Sequence, residues 1–103
     1  MNEIDARSLQ QELAGPNAPL VLDVRNPDEV RTEGRIEGAL VIPMGELPSR
    51  LAEVPAGREI VTVCKRGMRS FNAAAWLRQA GRAARSLQGG VDQWKALGLP
   101  VSR

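Results

Sequence analysis

Glu59-Ile60-Val61-Thr62-Val63-Cys64-Lys65-Arg66-Gly67-Met68-Arg69-Ser70 is the stretch on which the fold turns. Glu59 to Val63 is a β-branched apolar run of the kind that forms a strand buried on both faces. From Ser70 to Ala80, Ala73, Ala74, Leu77 and Ala80 recur on one helical face, and Gly81 stops the pattern. The reading is therefore strand, short basic loop, helix, with Cys64 at the carboxyl end of the strand and Ser70 as the expected N-cap.

Working outward, the same alternation repeats. Asp5 is the expected cap of a helix over residues 6–14, with Leu9 and Leu13 on one face and Gly15-Pro16 behind it. Leu20-Val21-Leu22-Asp23-Val24 is a strand, and Asn26-Pro27-Asp28-Glu29 opens a short helix with Pro27 in its first turn. Ala39 to Ile42 forms a further strand stopped by Pro43, and Glu46 to Leu51 one or two helical turns. Ala83 to Leu87 is a strand, and Gly89-Gly90 turns into a helix over 91–97. Strands alternating with helices imply an α/β fold with a mostly parallel central sheet and helices on both faces. Ligands in such folds bind outside the carboxyl ends of the strands, where Cys64 lies. The length of 103 residues suits one domain over 1–103.

The chain has one cysteine and no histidine. That excludes an intramolecular disulfide, ordinary zinc and haem signatures, and both Ser-His-Asp and Cys-His catalysis. If Cys64 is a nucleophile, its thiolate must be stabilised without an imidazole, by backbone N–H groups, a helix N-terminus and the cations Lys65, Arg66 and Arg69. Gly67 permits the positive φ that such a loop needs. The net charge of +2 is unevenly spread: residues 1–57 carry five Arg against ten Asp and Glu, while residues 58–85 carry six Arg and one Lys against one Glu. The basic segment contains Cys64, which suits an anionic substrate, although Arg78, Arg82 and Arg85 serve equally as a solvated face. No apolar run approaches membrane-spanning length, and the acidic start Met1 to Asp5 does not read as a signal peptide, so a cytoplasmic location is expected. Neither membrane nor nucleic-acid binding is expected, since the Arg-rich segment has no interleaved aromatics.

Four pieces in order resemble a single-domain rhodanese, the thiosulfate sulfurtransferase family, over nearly the whole chain. They are Leu22-Asp23-Val24-Arg25 with Glu29; Gly34-Arg35-Ile36-Glu37-Gly38-Ala39 before Ile42-Pro43; the cysteine loop; and Leu87-Gln88-Gly89-Gly90-Val91 with Trp94, then Gly98-Leu99-Pro100-Val101. The resemblance implies a rhodanese-like fold and a Cys64 persulfide. It would be charged by a small anionic donor such as thiosulfate and discharged to cyanide, a thiol or an acceptor protein, with no metal or organic cofactor. Lys65, Arg66, Gly67, Met68, Arg69 and Ser70 would surround the substrate, with Lys65 and Arg66 attracting the dianion. Asp23 and Arg25 would be structural, Arg25 pairing with Glu29 or Asp28. Trp94, Trp76 and Phe71 are expected in the core. Arg35 stands where many relatives have histidine, and its role is open. A persulfide carrier or regulatory module is the alternative. A phosphatase or arsenate reductase fits less well, because the arginine after Cys64 comes one residue earlier, at Arg69, than in cysteine phosphatases.

Overall fold

The computed structural model describes residues 2–102. In chain order the elements are β1 (Glu3–Ile4), α1 (Ala6–Leu13), β2 (Leu20–Asp23), α2 (Pro27–Glu33), β3 (Leu40–Val41), β4 (Ile60–Val63), α3 (Met68–Gln79), β5 (Ala84–Leu87) and α4 (Gly90–Ala96). Two 3₁₀ turns, Met44–Glu46 and Leu51–Glu53, fill the connection from β3 to β4. The five strands form one sheet in the order β1-β5-β4-β2-β3, and every strand pair is parallel. β4 is central, with Asp23 of β2 in register with Val63, so the chain leaves β4 at Cys64 beside the end of β2.

Alternation along β4 divides the core in two. Val61 and Val63 point into a cluster with Leu9 of α1 and Val91 and Trp94 of α4. Ile60 and Cys64 point the other way, into a cluster with Ala73, Ala74 and Leu77 of α3. The small alanines let α3 lie close on the sheet, which brings its N-terminus against the end of β4. Trp94 is a core residue as expected, and its indole N–H donates to the carbonyl of Pro100 at 2.8 Å. Trp76 is partly buried against the α3 cluster. Phe71 departs from expectation: it lies on the outer side of α3 and is 42% exposed.

Two further departures have local causes. The N-terminal residues read as an acidic lead-in contain β1, whose two residues pair with Ser86 and Leu87 at the sheet edge. A two-residue strand carries no periodicity to read. Helix α3 starts at Met68, with Gly67 as N-cap at φ 104°, instead of at Ser70. Ser70 is fully buried, and its side chain bonds within the loop rather than capping the helix.

Candidate active site

Cys64 lies at the floor of the loop between β4 and α3 and is 1% exposed. The N–H groups of Gly67 and Ser70 both donate to its Sγ, at 3.1 and 3.3 Å. The positive φ of Gly67 turns the chain so that these amides converge on the sulfur. Ser70 Oγ lies 3.4 Å from Sγ, 3.2 Å from the carbonyl of Gly67 and 2.7 Å from Ser86 Oγ. The Ser70 hydroxyl donates to the Gly67 carbonyl and accepts from the Cys64 thiol; against a thiolate its one proton can turn to Sγ instead. The hydroxyl of Thr62 in turn donates to the carbonyl of Ser70 at 2.7 Å, anchoring the start of α3 to β4. Burial pushes the Cys64 thiol up and is the largest single influence. The Ser70 hydroxyl and the amides of Ser70, Gly67 and Arg66 together outweigh it, so its pKa is lowered from the ordinary thiol value.

The loop is held from the far side by α4. Val91 and Asp92 donate their N–H groups to the carbonyls of Cys64 and Lys65, at 2.9 and 3.0 Å. This approach requires Gly90, at φ 62°: a Cβ there would stand 2.3 Å from the Lys65 carbonyl oxygen and 2.5 Å from that of Cys64. Gly89-Gly90 reads in the sequence as a turn before a helix. Its role as the seat of the cysteine loop emerges only when the two segments are seen together.

The cations of the loop are already paired. Lys65 Nζ lies 3.1 Å from Glu33 and 3.3 Å from Asp92, and Arg66 Nε 3.5 Å from the same Asp92. Arg69 makes a two-pronged contact with Glu29, at 2.7 and 2.9 Å. Met68 points outward and is 79% exposed. Sequence reading found the cations and missed the three carboxylates, because each partner lies 26 or more residues away along the chain. The same holds for the wider charge asymmetry: Glu12 and Glu59 bind Arg85, while Arg78 and Arg82 donate to carbonyls of Ala84, Val54 and Leu51. Much of the basic segment thus neutralises the acidic one inside the fold.

Arg25 pairs with neither Glu29 nor Asp28. It turns back onto Asp23, with Nε at 2.9 Å and Nη2 at 2.6 Å, and Nη2 also donates to the carbonyl of Gly34. Both side chains are buried at the end of β2, where a charge needs a partner at once. Arg25 Nη1 has no hydrogen-bond partner and lies 3.9 Å from Glu33, which links this pair to Lys65. Arg35 is exposed. Its backbone bridges Ser102, and it lines an open groove with Pro27, Val30 and Pro43 that includes no residue of the cysteine loop. Among the described residues, no group of three or more His, Cys, Asp or Glu is placed to hold a metal ion. Among the described residues, no helix is long and apolar enough to cross a membrane.

The Glu29–Arg69 pair gives a pH signature. The Arg69 guanidinium, helped by the Asn26 amide and opposed by burial, holds Glu29 down to about 2 from an ordinary 4.5. The pair's contribution is therefore complete above pH 4.5 and is lost as pH falls through about 2. Partial exposure of both side chains limits it to about 1 kcal/mol. Glu29→Gln is expected to lower stability by that amount at pH 7, with the gap to the parent narrowing below pH 4.5, as read by urea unfolding across pH. A gap independent of pH would show that ionisation of Glu29 is not its source.

Comparison with known proteins accounts for this arrangement. The chain is 41% identical over 102 residues to a sulfurtransferase of Allochromatium vinosum, covering 98% of this chain and 94% of that one. It also superimposes on a rhodanese-related protein from Thermoplasma volcanium with a TM-score of 0.91 at 30% identity, covering 99% of this chain and 98% of that one. A rhodanese-like domain protein from Staphylococcus aureus gives a TM-score of 0.88 at 28% identity over the full length of both chains. The rhodanese-like domain family matches residues 5–97, a span that holds strands β2 to β5, the Cys64 loop and the α4 seat, and the chain belongs to that family.

Proposed function

We propose that the protein is a sulfurtransferase in which Cys64 carries sulfane sulfur as a persulfide. The observation that carries this reading is the buried sulfur held by the N–H groups of Gly67 and Ser70 at the end of β4. These donors favour an anion at Sγ, and they favour a terminal persulfide anion for the same reason. With Cys64 only 1% exposed, its sulfur admits a slim terminal atom more readily than a bulky electrophilic centre. With thiosulfate, the Cys64 thiolate attacks the outer sulfur. The S–S bond of the donor breaks, its electron pair leaves with sulfite, and Cys64 is left as a persulfide. Cyanide or a thiolate then attacks the terminal sulfur and leaves as thiocyanate or a new persulfide, and the Cys64 thiolate returns. Neither half-reaction needs a proton acceptor, which agrees with a chain that has no histidine. Phosphate chemistry is disfavoured because Arg69, the cation placed to receive a phosphate, is clasped by Glu29.

A protein acceptor is the second reading, favoured by the exposed Met68 and Phe71 beside the loop, which give a partner an apolar landing point. Both readings run through the same persulfide. Intact-mass measurement after incubation with thiosulfate or cysteine persulfide is expected to show one added sulfur on the protein, removed by cyanide. Absence of the adduct with both donors overturns sulfur transfer.

A further inference from the structure

The cation-rich loop does not make a cation-rich entrance. Lys65, Arg66 and Arg69 meet Glu33, Asp92 and Glu29 at 2.7 to 3.5 Å, so three formal positive charges face three formal negative ones. Asp92 binds two of the cations and sits in the first turn of α4, where its own N–H holds the Lys65 carbonyl. Behind them, Arg25 is matched by Asp23. Lys95 holds the carbonyl of Glu33 at 2.9 Å and adds one cation at the outer side, while the amides at Sγ act at contact distance and do not draw a dianion from solution.

We propose that Asp92 and Glu33 are specificity-determining residues that set the entrance against dianionic donors and toward persulfides of low net charge. This deepens the sulfurtransferase reading and rests on it. The favoured loading step has the Cys64 thiolate attacking the outer sulfur of a small-molecule persulfide, R–S–SH. A new S–S bond forms, the donor S–S bond breaks, and the electron pair leaves as the thiolate R–S⁻, while the proton stays on the transferred sulfur. Nothing is oxidised or reduced overall. Such a donor brings no second formal charge to a mouth whose loop cations Lys65, Arg66 and Arg69 are each already paired with a carboxylate. Thiosulfate arrives with two negative charges and meets loop cations that are already paired, above a thiolate.

The test is the second-order rate at which Cys64 is loaded, read by rapid quench and intact mass, with thiosulfate and with cysteine persulfide at low and high salt. In the parent protein, loading by thiosulfate is expected to be flat or to rise slightly as salt increases. Asp92→Asn keeps the N–H bond to Lys65 but removes the carboxylate. It is expected to speed thiosulfate loading about fivefold at low salt, with the gain disappearing at high salt. Glu33→Gln is expected to act in the same direction, and both variants should leave cysteine persulfide loading within about twofold. A parent rate with thiosulfate that falls steeply with salt overturns the inference, as does an equal change for both donors, which would make Asp92 and Glu33 supports of the loop only. Either of those results leaves the sulfurtransferase reading standing. Failure of both donors to load the parent protein overturns that reading, and this inference with it.

Discussion

Cys64→Ser is expected to abolish sulfur loading and to lower turnover by at least about 10⁴-fold, while the fold stays intact. Serine has nearly the shape of cysteine, and its Oγ can accept the same N–H groups from Gly67 and Ser70. The burial of a polar atom is therefore compensated, and the melting temperature should move by only a few degrees. The chemistry cannot be compensated. Among the described residues, the groups hydrogen-bonded to Sγ are the amides of Gly67 and Ser70 and the Ser70 hydroxyl, which stabilise an anion but do not remove a proton from a hydroxyl. In the parent protein, the rate of loading by an uncharged alkylating probe should rise with pH through a midpoint below the ordinary thiol value, as the lowered Cys64 pKa requires. A midpoint at or above that value would mean that burial outweighs the loop's donors. Residual loading in Cys64→Ser would place the sulfur elsewhere and end the mechanism proposed for this loop.

What could be read in the sequence and what could not divides along chain distance. The β4-loop-α3 unit is legible because its signals are local: a β-branched strand, a glycine, then alanines at helical spacing. From these alone Cys64 is placed at a strand end, and the parallel α/β sheet follows from the repeated alternation. The start of α3 was displaced by two residues because a glycine at φ 104° can do the work of an N-cap, and serine is the more usual signal for one. The charges were legible as residues but not as pairs. Lys65 and Arg69 look like free cations until α2 brings Glu33 and Glu29 beside them, and Arg25 looks like a helix partner until the turn after β2 folds it back on Asp23. That is why reading the segment charge suggested an attractive field and the folded protein shows a balanced one.

Gly90→Ala should be the most damaging single change outside Cys64, and its cost has two separable parts. The first is conformational: a φ of 62° strains any residue with a Cβ, by about 1 kcal/mol. The second is contact. The new Cβ would meet the carbonyl oxygens of Lys65 and Cys64 at 2.3 and 2.5 Å, which are backbone atoms with no side-chain freedom to yield. Helix α4 must then lift from the cysteine loop, weakening the bonds from Val91 and Asp92 and letting the loop relax away from the geometry that aims its amides at Sγ. A total of ~2–3 kcal/mol is expected, seen as a melting temperature lower by about 10–15 °C. Sulfur transfer should fall about 100-fold or more even well below the melting temperature, because amides misplaced by an ångström no longer stabilise the sulfur anion. Gly81→Ala separates the two parts. Gly81 also has a positive φ, 91°, but a Cβ there meets nothing within 4 Å, so it should show the conformational cost alone, with activity retained. If Gly90→Ala kept parental transfer rates while Gly81→Ala was equally destabilised, the α4 seat would contribute to stability only. The amide geometry at Cys64 would then depend on Gly67 and the buried Ser70–Ser86 pair instead.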